Sequence, residues 1–198
     1  MTGGGPAVTL RALLVQRAAR LQEWPALTAP GWGCLAYPAF RNRVEGVALG
    51  LMAGNPAVGA RVFSATGGPW DWACEVACAC CGLVWAPDGA AVAAEILGGP
   101  GFNHEAGRQP YHDRDRQVRD DTPCTGALTH GGLLARLARA NGGLGWDHQT
   151  RVDLPQGALA DPAVRGALWC ALYAGSHAVL GGASPGRWDP APFAGILE

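Results

Sequence analysis

Lysine is absent from the sequence of 198 residues, and all fifteen of its cationic residues are arginine. Together with 30 glycines and 15 prolines, this bias is most simply attributed to the codon usage of the genome. Charged residues make up only 16% of the chain, and the formal net charge is −1 at pH 7. A chain with so weak an overall field is not expected to bind nucleic acid or anionic lipid through its charge.

Long apolar runs are also missing. No stretch of 18 uninterrupted apolar residues occurs, so the sequence predicts no membrane-spanning helix and no membrane partner. The first 21 residues carry Arg11 inside their apolar run and no charged region ahead of it, which is not the pattern of a secretory signal. We therefore expect a cytoplasmic protein whose seven cysteines are free thiols.

Helical spacing of apolar residues dominates the chain. One face of a predicted helix carries apolar residues at helical spacing, namely Leu10, Leu13, Leu14, Ala18, Leu21 and Trp24. Thr122-Pro123 and Asp161-Pro162 have the residue types that open helices, a capping side chain followed by proline. The pattern predicts helices over residues 10–24, 41–54, 70–85, 90–97, 122–142 and 161–180.

Strand signals are scarce. Isoleucine is rare, apolar and polar residues seldom alternate, and the candidate strands are short, residues 61–63 and 150–154. The sequence therefore predicts an all-α fold, a single-domain orthogonal helical bundle over residues 1–198. Residues 101–121 are rich in charge and poor in large apolar groups, so we expect a flexible charged loop there.

Four cysteines cluster in the third predicted helix. Cys74, Cys78 and Cys81 fall on one helical stripe, whereas Cys80 points elsewhere. Cysteine is a small apolar residue that is often buried, so core packing is the favoured interpretation. A metal or redox role is the alternative, although Cys78 and Cys81 lie in the middle of a helix and not at its N-terminus.

Two adjacent carboxylates offer the best candidate for chemistry. Asp120, Asp121 and Thr122 bring several oxygen ligands to one point, and hard cations such as Mg²⁺ prefer oxygen. The alternative is that these residues only cap a helix, where acidic groups interact favourably with the helix dipole.

Three parts of the chain carry motifs of one known family: residues 43–59, then either 68–77 or 119–122, and finally 166–175 with 185–188. Together they are similar to the ADP-ribosylglycohydrolases, an all-α family that removes ADP-ribose from proteins with Mg²⁺. Residues 43–59 resemble the family's first helix, with Asn55 in place of an aspartate. Either residues 68–77, in the expected place but without the metal carboxylates, or residues 119–122, with the carboxylates but late in the chain, resemble its T-D-D-T metal motif. Residues 166–175 and 185–188 resemble its closing helix and P-x-x-W ending.

The resemblance implies two hypotheses. In the first, the protein is a Mg²⁺-dependent hydrolase of ADP-ribosyl or related nucleotide-sugar bonds. Asp120, Asp121, Thr122 and Asp161 would then bind the metal, and Asp121 and Asp153 would be catalytic. In the second, the fold is kept but the metal site is degenerate, and the protein is a non-catalytic binding or regulatory scaffold. Its partner would be ADP-ribose or another protein.

Overall fold

The computed structural model describes residues 9–64, 68–87, 94–95, 104–155, 159–184 and 187–198. Within them the chain is a mixed α/β structure with two β-sheets, one of four and one of five strands. The prediction of an all-α orthogonal bundle is therefore wrong. The assignment of residues 1–198 to a single domain stays a prediction.

The first sheet joins segments that are far apart in the sequence. Its strand order is β2-β1-β9-β8. The central strands β1 (Pro25–Ala29) and β9 (His177–Leu180) are parallel, and β9 is parallel to β8 (Arg151–Leu154). At the other edge, β2 (Gly33–Ala36) runs antiparallel to β1. Of the two strand candidates in the sequence, 150–154 is thereby confirmed as β8.

The second sheet is assembled from the middle of the chain, with the order β5-β3-β4-β6-β7. Four of its strands are parallel to their neighbours, namely β3 (Arg61–Phe63), β4 (Val84–Ala86), β5 (Ala94–Glu95) and β6 (Pro123–Thr125). The fifth, β7 (Leu128–Thr129), is antiparallel to β6. The strand candidate at 61–63 is confirmed as β3.

In the part of the chain that the structure describes, six α-helices accompany the sheets: α1 (Leu10–Arg20), α2 (Tyr37–Ala53), α3 (Pro69–Cys80), α4 (His104–Asp115), α5 (His130–Leu144) and α6 (Pro162–Ala174). In α3 the residues 71–80 are all buried, and in α6 the residues 163–172 are all buried. A helix that is apolar on every side belongs in the interior. Accordingly, α3 contacts the strands β4 and β6, and α6 contacts the strand β9. The rings of Trp72 in α3 and Trp169 in α6 pack edge to face, with their centres 5.0 Å apart.

Short polar side chains fix the start of three helices. Thr9 caps α1, Thr129 caps α5 and Asp161 caps α6, each accepting a hydrogen bond from a backbone N–H of the first turn. The cap expected at Asp161 is therefore confirmed. The helix expected from Thr122 begins at His130 instead, because β6 and β7 occupy residues between them.

Four predicted helices are too long. The first, predicted over residues 10–24, ends at Arg20 as α1, and Trp24 lies exposed beyond it. The segment 70–85 extends into β4, the segment 122–142 contains β6 and β7, and the segment 161–180 contains β9. In the segment 90–97, Ala94 and Glu95 form β5, and the other residues lie outside the described ones. The charged segment 101–121 contains α4, and its residues 101–103 also lie outside the described ones. None of the helices in the described residues is both long and apolar enough to cross a membrane.

His130, at the start of α5, is completely buried where the first turn of α1 reaches it. Its Nδ1 accepts a hydrogen bond from the backbone N–H of Leu10 at 3.1 Å. Its Nε2 is buried without a hydrogen-bond partner in the described residues. Burial lowers the pKa of His130 to about 4, although the nearby Ala79 carbonyl offsets part of this effect. The imidazole is thus neutral in the folded protein at neutral pH.

We expect His130 to make the protein less stable in mild acid. Between pH 6.5 and pH 4 the unfolded chain binds a proton at this histidine and the folded chain does not, so stability falls as the pH falls through this window. A pKa that is lower by this amount corresponds to roughly 3 kcal/mol. Urea unfolding at pH 7.5, 5.5 and 4.5 measures the effect. The variant His130→Gln should show a flatter pH dependence than the natural chain, and equal slopes would contradict the assignment.

Candidate functional site

A carboxylate–guanidinium pair lies in the core between α3 and α6. Glu75 is 0% exposed and Arg165 is 6% exposed. Arg165 Nε donates to Glu75 Oε2 at 2.8 Å, and Nη2 donates to Oε1 at 3.1 Å. Trp169 Nε1 adds a third donor to Oε1 at 3.0 Å. This two-pronged geometry and the extra hydrogen bond offset the cost of taking both charges out of water.

Two further residues hold Arg165 in place. Its Nη2 also lies 3.4 Å from Thr125 Oγ1 on β6, and its guanidinium carbon lies 4.7 Å from the centre of the Trp85 ring on β4. Trp85 is fixed in turn, because its Nε1 donates to Ser64 Oγ at 2.6 Å. The guanidinium group is therefore preorganised by three neighbouring side chains.

A cleft of about 580 Å³, which we call the arginine cleft, opens beside these residues. Its walls come from β3, β4, β6, the start of α6 and the last residues of the chain, and include Arg61, Trp85, Thr125, Pro162, Arg165 and Glu198. The volume lies within the range of small-molecule sites, roughly 300–1,000 Å³. The cleft thus combines two guanidinium groups, an exposed carboxylate at Glu198 and an apolar wall.

The cysteines of α3 are core residues. Cys74, Cys78, Cys80 and Cys81 are each at most 1% exposed, which confirms the packing interpretation. Burial raises the pKa of the Cys80 thiol to about 12 and the pKa values of Cys78 and Cys81 well above their usual range. These three thiols are protonated at neutral pH and hence poor nucleophiles.

The sequence-predicted site residues occupy three separate places. Asp120 and Asp121 are exposed in the turn before β6, where the Asp120 carbonyl accepts a hydrogen bond from Gly131 N–H at 2.7 Å. Thr122 is buried, and its Oγ1 accepts from the backbone N–H of Arg119 at 2.8 Å. The structure therefore keeps these three neighbours together beside the second sheet.

The other two predicted residues lie elsewhere. Asp153 is on β8 in the first sheet and pairs with Arg151 at 2.9 Å. Asp161 caps α6, accepting from the Ala163 N–H at 2.8 Å. Within the residues that the structure describes, no three His, Cys, Asp or Glu side chains are grouped so as to hold a metal ion. The metal and catalytic roles assigned from sequence stay a prediction.

Sequence reasoning missed the arginine cleft, although a signal for it exists. In α3, Glu75 and Asp71 are the two charged residues of an otherwise apolar helix, and in α6 Arg165 is the one charged residue. A charge in the middle of a largely apolar helix predicts a buried ion pair, since an unpaired charge would be too costly to bury. The separation of 90 residues between the two partners hides their pairing in the sequence.

Comparisons of the structure place the fold among the adenylation domains. The N-terminal subdomain of NpsA from Klebsiella oxytoca has a TM-score of 0.63 at 16% identity, over 91% of this chain and 55% of that one. VinN in complex with L-aspartate has a TM-score of 0.62 at 11% identity, over 89% and 63% of the two chains. The o-succinylbenzoate CoA synthetase MenE of Bacillus subtilis has a TM-score of 0.62 at 14% identity, over 87% and 56%.

At these identities the likeness shows the fold alone, and the chain spans less than two thirds of each of these three proteins. No family model and no curated protein matches the sequence. The resemblance to the ADP-ribosylglycohydrolases is wrong, because the structural neighbours are adenylate-forming proteins. The hydrolase assignment is wrong for the same reason.

Proposed function

We propose that the protein is a non-catalytic binding protein built on the adenylation-domain fold, and that the arginine cleft binds a small molecule with an anionic group and an apolar, planar part. The observation that carries this proposal is the placing of Arg61 and Arg165 in the wall of one cleft with Trp85. Guanidinium groups bind carboxylates and phosphates through paired hydrogen bonds. Because Nε and Nη2 of Arg165 already donate to Glu75, Arg61 would supply such a pair to the ligand. The ring and proline surfaces of the same wall suit an apolar group.

The chemistry of the cleft's charged groups favours binding over proton transfer. A guanidinium group keeps its proton in proteins, so Arg61 and Arg165 hold and orient anions and do not act as general acids or bases. Glu75, which accepts a hydrogen bond from Trp169, holds Arg165 in one orientation before any ligand binds. Preorganisation of this kind reduces the entropy lost when the ligand binds.

The ligands named for the structural neighbours suggest a ligand class. NpsA was solved with anthranilyl-AMSN, and MenE with an acyl-adenylate, OSB-AMP. An acyl-adenylate joins a phosphate to apolar planar groups, which are the two features that the arginine cleft complements. We therefore propose an acyl-adenylate, or one of its parts, as the ligand of this protein.

Calorimetric titration with AMP and with anthranilate tests the proposal, with ADP-ribose as a second adenine nucleotide. Arg61→Gln should weaken the binding of AMP or anthranilate by about tenfold or more, because a hydrogen bond to a charged group contributes about 1.5–3 kcal/mol. Arg151→Gln is the matched control, since Arg151 is an exposed arginine of the first sheet, with a side chain 60% exposed.

Three results would contradict the proposal. If neither AMP nor anthranilate binds, or if both variants bind as the natural chain does, the arginine cleft is not the site. If incubation with ATP and anthranilate releases pyrophosphate, the protein is a catalyst and not a scaffold.

A further inference from the structure

A second cleft, of about 470 Å³, lies between the loop after α2 and the second half of α4. We call it the amide cleft. Its lining includes Asn55, Val58, Gln109, Asp113, Arg114 and Gln117. It shares no lining residue with the arginine cleft, so it is a separate site.

The walls of the amide cleft are held rigidly. Arg114 is only 5% exposed, and its Nη1 donates to the Cys81 carbonyl at 3.3 Å. Its Nη2 donates to the carbonyl of Pro56 in the facing loop. Arg114 thus ties α4 to both neighbouring segments. Because its guanidinium group donates its hydrogen bonds to these backbone carbonyls, Arg114 stabilises the wall of the cleft.

The remaining polar groups of the cleft are mainly amides. Asn55, Gln109 and Gln117 each offer two donors and an acceptor. Gln109 Nε2 donates to Asp113 Oδ1 at 3.0 Å, which orients the carboxylate and leaves most of its lone pairs available. A ligand that fits such a set must both donate and accept hydrogen bonds at closely spaced points. The hydroxyl groups of a ligand both donate and accept hydrogen bonds in this way. The negative charge of the Asp113 carboxylate disfavours the binding of anionic ligands.

Apolar surface lies beside the amides. Pro56 and Pro110 present rigid rings to the cleft, and Val58 is 43% exposed. A sugar ring has a polar rim of hydroxyls and an apolar face of C–H groups, so it complements both parts of this wall. The cleft volume is within the range of small-molecule sites.

We propose that the amide cleft binds a neutral sugar of one or two rings. Amide and carboxylate side chains would take the hydroxyl groups, and the proline and valine surfaces would contact the C–H face. This site is independent of the ligand proposed for the arginine cleft.

Saturation-transfer NMR on the full chain tests the proposal with methyl glucoside, maltose and trehalose as probes. We expect transfer to at least one of them. The double variant Gln109→Ala/Asp113→Ala should weaken its binding about tenfold, because it removes two hydrogen-bonding partners. Gln149→Ala is the matched control, since Gln149 is an exposed amide outside the cleft, and it should bind as the natural chain does.

Several results would overturn the proposal. If none of the three sugars shows transfer, or if the double variant binds them undiminished, the proposal is overturned. Preferential binding of citrate in the same cleft would overturn it as well, because the site would then select charge. If circular dichroism shows that the double variant is unfolded, Gln117→Ala decides: weaker binding supports the sugar site, and unchanged binding overturns it.

Discussion

Replacing Glu75 by glutamine is expected to lower the free energy of unfolding by about 3–5 kcal/mol. The substitution leaves the guanidinium group of Arg165 buried without its countercharge, and arginine cannot give up its proton to escape the cost. Because folded proteins are stable by only about 5–15 kcal/mol, the loss is a large part of the total. Urea unfolding followed by tryptophan fluorescence measures it.

Two control variants distinguish the cost of a buried unpaired charge from the loss of an ion pair as such. Asp153→Asn breaks the exposed pair with Arg151, whose side chains are 41% and 60% exposed, and should cost less than about 1 kcal/mol. The double variant Glu75→Leu/Arg165→Met removes both buried charges together, so it should recover at least half of the loss. If Glu75→Gln unfolds at the same urea concentration as the natural chain, the pair does not stabilise the core.

Gly107→Ala is expected to destabilise the protein by about 3 kcal/mol, at the upper end of overpacking effects. A Cβ at position 107 would overlap the backbone carbonyl of Leu49 and lie 3.1 Å from the Ala53 nitrogen. Both are backbone atoms of α2, so relief requires α4 to move as a unit away from α2. Thermal unfolding of the variant measures the change.

Gly142→Ala provides the opposite control. Gly142 is inside α5, and a Cβ there would meet nothing within 4 Å. Alanine favours a helix over glycine by about 0.8–1 kcal/mol, so this variant should be more stable. If Gly107→Ala behaves like Gly142→Ala, α4 does not pack on α2 as the structure has it.

The helices were more predictable than the strands for a physical reason. The strands β4 and β9 each have no more than four residues and are largely buried, so they extend the apolar run of the preceding helix without any alternation. The sequence signal that could have marked the ends of the preceding helices was glycine. Gly82 and Gly175 take φ values of +68° and +85° just after α3 and α6, a conformation that ends helices.

The helix α4 escaped prediction for a different reason. Its buried stripe comprises Gly107, Tyr111 and Arg114, and Val118 continues the same spacing beyond the helix. The spacing of this stripe is helical. A sequence pattern of apolar residues does not reveal it, however, because glycine and arginine are not counted as apolar. The amide cleft, which α4 helps to form, was hidden with it. Both candidate clefts depend on contacts between distant segments, and only the fold reveals those contacts.

The pairing of β1 with β9 has a consequence for how the chain folds. Leu27 lies opposite Ala178, and Thr28 Oγ1 contacts His177 Nε2 at 2.8 Å across 149 residues of sequence. Such pairing gives a high contact order, which slows folding because a very long loop must close before the contact forms. On the ribosome, β1 therefore stays without its partner strand until about 150 further residues have been synthesised, and its unpaired edge is open to chaperones or to aggregation in that interval.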